Sequence, residues 1–284
     1  MIYVVLLVVG LCLGSFVNAF VYRLFENDKD TYFETKKIKL KNKPKSKLSI
    51  WNGRSICVHC NHQLSWLDLV PVLSWAYLKG KCRYCNKYIS WQYPLVEVAT
   101  AFLFILSYIY WPLEFNNYQI GLFIFWCIFL VEFMALCVFD LRWYLLPNKI
   151  VFGLYILFLL QIIYMLVAKS ITLSQFIGIV FGGLTVGILF WILHIVSKGE
   201  WIGGGDVKLG FLLGALGGGF TKSLLIIFLA SLLGSLVGGI YLYIAKRFKL
   251  KAQLPFGPYL LVSTVVTVLF GSKIIDQYIN IISR

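Results

Sequence analysis

The chain has few acidic residues, twelve in 284, and four of them (Glu97, Glu132, Asp140 and Asp206) fall in or at the edge of long apolar runs. Ionisable groups in such places are costly and are functional candidates by default. Asp140 lies in "CVFDLRWYLLPN", where an apolar run ends, and Asp206 in "GGGDVK", where a later one begins. The apolar runs 150–168 and 174–196 separate them, and two crossings return a chain to the face it left. The two aspartates therefore share a membrane depth, and a carboxylate dyad is geometrically possible. Two close carboxylates cannot both ionise cheaply, so one keeps a proton while the other loses it. The ionised member can take a proton from water, and the protonated member can polarise a peptide carbonyl. Two other readings stay open: Asp206 as a charge favoured by a helix N-terminus, or as an ion or proton ligand in a transporter with a glycine-broken helix. No Ser/His or Cys/His pairing competes, because His194, near the end of a run, has no obvious partner and reads as a polar interfacial residue. Glu132 reads as a buried hydrogen-bonding group, and Glu97, after "YPLV", as a charge near a helix start.

A second constellation is built from cysteine. "CVHCNHQLSW" (57–66) and "CRYCNKYISW" (82–91) both read Cys-x-x-Cys-Asn-x-x-(Leu/Ile)-Ser-Trp. This repeat predicts two similar knuckles that pack face to face, with Ser65, Trp66, Ser90 and Trp91 helping each to fold. The spacing of the two Cys-x-x-Cys pairs is close to that of a zinc ribbon, and four thiolates from Cys57, Cys60, Cys82 and Cys85 close a tetrahedral site. So small a subdomain buries little core, and a structural zinc supplies the missing folding energy. His59 and His62 are not preserved by the repeat (Tyr84 and Lys87 stand in their places) and are expected to be exposed. Cys12, Cys127 and Cys137 lie in apolar runs and read as packing residues.

The elements that position these groups are membrane helices. Hydrophobic residues make up 60% of the chain, with a mean hydropathy of +0.82, above what a soluble domain carries. Apolar runs at roughly 2–24, 95–111, 119–139, 150–168, 174–196, 207–220, 222–245 and 259–281 predict an all-α polytopic membrane protein with about eight transmembrane helices, 207–220 being the least secure. The first run lacks a basic segment before it and reads as an anchor, with the N-terminus outside. Threading the chain from there places every Lys and Arg except Lys169, Lys222, Lys273 and Arg284 on the cytosolic side, as the positive-inside rule requires. The net charge of +14 is thus a topology signal rather than a nucleic-acid footprint. Three parts follow: an anchor, 1–24; a cytosolic insert, 25–94, made of a Lys-rich linker (25–50) and a zinc-ribbon-like tetracysteine subdomain (51–94) whose thiols stay reduced; and a transmembrane domain, 95–284. The stretch "KKIKLKNKPKSK" (36–47) is a solvated linker or a site for anionic lipid headgroups.

Five motifs in order carry a family resemblance. "GSFVNAFVYRL" (14–24), the block 53–101 around the four cysteines, "FDLRWYLLPN" (139–148), "GGGDVKLG" (203–210) and "PFGPYL" (255–260) resemble those of the type IV prepilin peptidases, membrane aspartic proteases with a Gly-x-Gly-Asp motif. The resemblance spans nearly the whole chain. It implies that Asp140 and Asp206 are the catalytic pair, that Cys57, Cys60, Cys82 and Cys85 bind zinc, and that prepilins or pseudopilins are the substrates, cut at the cytosolic face of a bacterial inner membrane. It also implies a second activity, S-adenosylmethionine-dependent methylation of the new N-terminal residue; no glycine fingerprint marks a methyl-donor pocket. The chain departs from typical members in the Lys-rich stretch before Trp51 and in Asn148, where many have an acidic residue.

Overall fold

The computed structural model describes residues 1–35, 53–247 and 254–283; the Lys-rich stretch 36–47 lies outside them. Among the described residues there are nine α-helices, one short 3-10 turn and no strand. Seven helices are long and apolar enough to cross a membrane, so the polytopic helical class holds. The eighth expected span does not: α7, Gly204–Gly217, has 14 residues. At 1.5 Å per residue it rises about 21 Å, short of a hydrocarbon core of about 30 Å.

Two compact units divide the chain at residues 106 and 107. The first contains α1 (Ile2–Thr35), the tetracysteine segment with its 3-10 turn η1 (Trp66–Leu69) and α2 (Leu73–Tyr77), and most of α3 (Gln92–Ile109). The first helix continues beyond the expected residue 24, its apolar window running from Ile2 to Asp28. Small residues let α1 and α3 touch backbone to backbone: a Cβ at Gly10 would stand 2.5 Å from Ala101 Cα, and one at Gly14 2.6 Å from Glu97 Cα. Close approach through small residues replaces the hydrophobic drive that helices lack in lipid. One turn further along α1, buried Asn18 donates to the Tyr93 carbonyl and accepts from Gln92 Nε2.

The second unit holds α4 (Asn117–Trp143), α5 (Asn148–Val167), α6 (Leu173–Val196), α7, α8 (Phe220–Arg247) and α9 (Gly257–Ile282). Asn116 caps α4 through Gln119 N–H, and Thr172 with Gln175 forms a reciprocal box at the start of α6, satisfying amides that a helix start leaves orphaned. Helices α6 and α7 meet along glycines. Gly182 and Gly214 each oppose the other's carbonyl so closely that neither position has room for a methyl group. This seam holds the short helix in the bundle although it is not long enough to span.

Candidate functional site

The four cysteines sit on two superimposable turns. In the first, Cys57 N–H donates to the His62 carbonyl, Asn61 N–H to Cys57 and Leu64 N–H to Ser55; in the second, Cys82 donates to Lys87, Asn86 to Cys82 and Ile89 to Gly80. Every partner is offset by the 25 residues of the sequence repeat. Asn61 and Asn86 both adopt φ 57°, the left-handed conformation that Asn tolerates better than most residues. The repeated Asn is therefore a backbone requirement of the turn. The turns face each other: the His62 ring lies 3.7 Å from that of Tyr84, and all four Sγ atoms fall within 4.8 Å of one another. Cys57 and Cys85 Sγ are 3.9 Å apart; four thiolates at tetrahedral zinc distances stand about 3.8 Å apart. The cluster is thus dimensioned to hold a metal ion. Burial opposes a charge on Cys57, but amides of Cys60 and His59 and the neighbouring thiols outweigh it and bring that thiol down to about 7.

Asp68, which the sequence reading passed over, joins the two turns. Its carboxylate accepts from Ser65 N–H and Oγ, from Arg83 Nε at 2.8 Å and from Tyr84 OH. Burial pushes against its charge, yet these donors hold it below the ordinary carboxylate range. The two Ser-Trp pairs are not equivalent as expected. The Trp91 ring meets that of Trp75 of α2 in a tilted contact at 4.1 Å, a partner that Trp66 lacks among the described residues, although both tryptophans are largely exposed, Trp66 75% and Trp91 67%. His59 and His62 are exposed, as the repeat implied.

In the second unit, Asp140 is buried in the last turn of α4, which ends when Tyr144, at φ 55°, returns its N–H to the Asp140 carbonyl. Asp206 occupies the first turn of α7. The two belong to one neighbourhood, since Gly205, beside Asp206, and Gly257, against Asp140, both meet Leu146. Leu146 lies between their supports. A Cβ at Gly205 would stand 2.9 Å from Leu146 Cβ, and one at Gly257 3.6 Å from Leu146 Cδ2. Gly257, the first residue of α9, donates its N–H to Asp140 Oδ2 at 3.0 Å. Asp206 Oδ1 is buried and accepts from no described residue. Nothing in the periodicity announced the Gly257 contact, although the "PFGP" motif stood in the sequence as its signal.

Other expected bystanders prove to be supports. His194 Nδ1 lies 2.7 Å from the Ile202 carbonyl and so ties the glycine loop to the end of α6. Lys208 Nζ donates to Asn148 Oδ1 at 3.0 Å, and the Lys208 carbonyl accepts from Tyr155 OH; α5 thus holds the start of α7 at two points. Glu132 approaches Gly153 of α5 and keeps one oxygen without a hydrogen bond.

The three glycines before Asp206 differ in what they tolerate. A methyl at Gly205 meets Leu146 at 2.9 Å, while the nearest atom to one at Gly204 is His194 Cε1 at 3.8 Å. Gly205→Ala is expected to destabilise by about 1–3 kcal/mol through overpacking. Gly204→Ala should be neutral or mildly stabilising, since Ala is the better helix former. Thermal unfolding of the two variants in detergent checks the contrast; equal shifts would mean that Leu146 yields freely.

A polytopic helical membrane protein with a four-thiol cluster and a converged pair of bilayer-edge carboxylates is the class that fold and site define. The chain belongs to the type IV leader peptidase family. The family model of that description matches residues 127–239, and the Bacterial Peptidase A24 N-terminal domain matches residues 8–111. The chain is similar to proteins named prepilin leader peptidase/N-methyltransferase. Those from Stutzerimonas stutzeri and Pseudomonas aeruginosa are each 33% identical over 279 residues, covering 96% of this chain and 92% of the relative. That from Aeromonas salmonicida is 30% identical over 285 residues, with the same coverage. No solved structure matches the chain.

Proposed function

We propose that the protein cleaves the leader peptide of type IV prepilins or pseudopilins at the cytosolic membrane face and N-methylates the residue it exposes. The observation that carries the peptidase reading is the convergence of Asp140 and Asp206, 66 residues apart, around Leu146 with one Asp206 oxygen left unpartnered. Relatives of nearly equal length bear both activities in their names. Gly257 N–H fixes Asp140 Oδ2 and leaves the other oxygen for chemistry. The ionised aspartate takes a proton from a water molecule, whose oxygen attacks the scissile carbonyl carbon. The protonated aspartate gives its proton to the carbonyl oxygen. Collapse of the tetrahedral intermediate breaks the C–N bond, and the leaving nitrogen takes up a proton to become the new N-terminal amine. The charge layout supports the orientation, with the N-terminus outside and the tetracysteine subdomain and dyad on the cytosolic side.

Cys57, Cys60, Cys82 and Cys85 would hold zinc. Four thiolates leave no open coordination position, so the metal is structural. S-adenosylmethionine supplies the methyl group. A shallow, open depression beside the second cysteine turn is lined by Trp75, Lys79, Tyr88 and Trp91.

Replacing Cys57 and Cys82, the two buried ligands, by Ser should abolish zinc in elemental analysis of the purified protein. It should also make the tetracysteine segment the first site of limited proteolysis, because binding free energy here is folding free energy. Methylation should fall before leader cleavage does. Stoichiometric zinc in the double variant, or none in the wild type, would overturn the ligand assignment. Purified protein and a prepilin, assayed by mass for leader loss and then for a methyl group, test the function itself. An Asp206-dependent ion flux without proteolysis would instead favour a transporter.

A further inference from the structure

Between the two cysteine turns runs "LVPVLSWAYL", residues 69–78, ten residues without a charge. Two of its large side chains stay bare, Leu73 at 69% and Tyr77 at 80% exposed, and Trp66 and Leu67 of η1 are exposed as well. The single charged residue within 66–78, Asp68, is paired with Arg83 and accepts from Ser65 N–H and Oγ. An uncovered apolar surface of this kind marks an interaction site.

Its depth can be read from the helices of the same unit. At 18 residues, α3 rises about 27 Å, so it needs nearly its whole length to cross a core of about 30 Å. Gln92 must then stand at the core boundary. Glu97 comes five residues later, about 7 Å inside it. On the partner helix the contact also falls inside the apolar window, since Glu97 packs on Gly14, within Ile2–Asp28 of α1. At that depth Glu97 Oε2 accepts the N–H of Val72 at 2.7 Å. Val72 is drawn into φ 60° and ψ −49°, a conformation that a β-branched residue adopts only when its surroundings impose it.

The backbone is also prepared for lipid, where every polar group must be satisfied within the protein. Pro71 has no N–H to satisfy, Leu73 and Ser74 donate to the carbonyls of Pro71 and Val70, and Ala76 and Leu78 to those of Val72 and Ser74. We infer that residues 66–78 form a wedge inserted among the acyl chains of the leaflet on the tetracysteine side, pinned by Glu97 as a positioning residue. The inference rests on α1 and α3 crossing the bilayer, not on either enzymatic activity. Acyl chains are the occupant because the segment is fastened below the boundary, beside helices that already face lipid.

The test uses the full chain in phosphatidylcholine–phosphatidylglycerol vesicles without substrate. An environment-sensitive fluorescent amino acid replaces Leu73 in one sample and Lys87, exposed on the second cysteine turn, in another. Acyl-brominated lipid should quench the probe at 73 at least about twofold, as for groups 5–10 Å below the interface, and leave the probe at 87 unchanged. Water-like emission at 73 without quenching would overturn the insertion. Burial of that probe only after a prepilin is added would do the same and make the surface a substrate dock. Glu97→Gln, which keeps an acceptor oxygen for Val72, should retain the quenching, whereas Glu97→Leu should lower it toward the level at 87. Full quenching in Glu97→Leu would overturn the pinning role.

Discussion

Asp206→Asn is expected to leave the helical bundle intact and to remove leader cleavage, and Asp140→Asn to do the same. Each substitution is nearly isosteric. In Asp140→Asn the new amide oxygen can still accept from Gly257 N–H, so the start of α9 keeps its anchor. In Asp206→Asn an amide stands where the wild type places a buried, unpartnered carboxylate oxygen. Neither amide can take a proton from water or give one to a carbonyl oxygen. The loss of a group acting in general acid–base catalysis is worth about a hundredfold to ten-thousandfold. A pair that works as a unit predicts a double variant hardly slower than either single one. Single-turnover cleavage of a prepilin in detergent, followed by mass, measures all three. Near-normal cleavage by either single variant, with unchanged thermal unfolding, would remove that residue from the chemistry. A drop in both activity and unfolding temperature would assign the aspartate a structural role instead.

What could be read from the sequence follows the range of the interactions involved. The long helices are legible because an apolar run long enough to cross lipid has few other structures open to it. The cysteine turns are legible for a different reason: a repeat fixes the same local hydrogen bonds twice, down to the left-handed Asn at 61 and 86. The apolar run overstates α7, whose helix has only 14 residues and whose Gly214 and Gly217 serve close packing against α6 and the start of α8. The contacts that were missed join residues far apart in the chain. Gly257 reaches Asp140, Val72 reaches Glu97, and Leu146 meets Gly205. None leaves a periodicity, since each is decided by how helices pack. His194 and Ile202 are only eight residues apart, yet that contact depends on the loop's path after α6. Trp66 shows the opposite error, for a repeated residue type need not find a repeated partner.

Gly257 offers a second, sharper test of the site, because it separates the presence of Asp140 from its placement. In Gly257→Ala both aspartates remain, and the new methyl group stands 2.5 Å from Asp140 Oδ2 and 3.4 Å from its Cγ. The methyl cannot retreat easily: Gly257 is buried, Pro258 follows it at the start of α9, and Leu146 closes another side at 3.6 Å. The mobile partner is the carboxylate, which must turn away and give up the N–H that orients it. Fold stability should fall by no more than that one charge-assisted hydrogen bond, about 1.5–3 kcal/mol. Catalysis should suffer as well, because misplacing a reacting group by about 1 Å can cost a hundredfold. The expected result is a folded protein, with zinc bound, that cleaves prepilin about a hundredfold more slowly with a largely unchanged KM. Methylation of a pre-cleaved pilin should persist, since the tetracysteine unit is untouched. If Gly257→Ala cleaves at the wild-type rate, the hydrogen bond to Asp140 is incidental and the working geometry of the pair is set elsewhere. If it loses both activities together with its unfolding transition, the residue serves the start of α9. The predicted outcome, slow cleavage with methylation intact, requires that α9 help to aim Asp140 at the substrate.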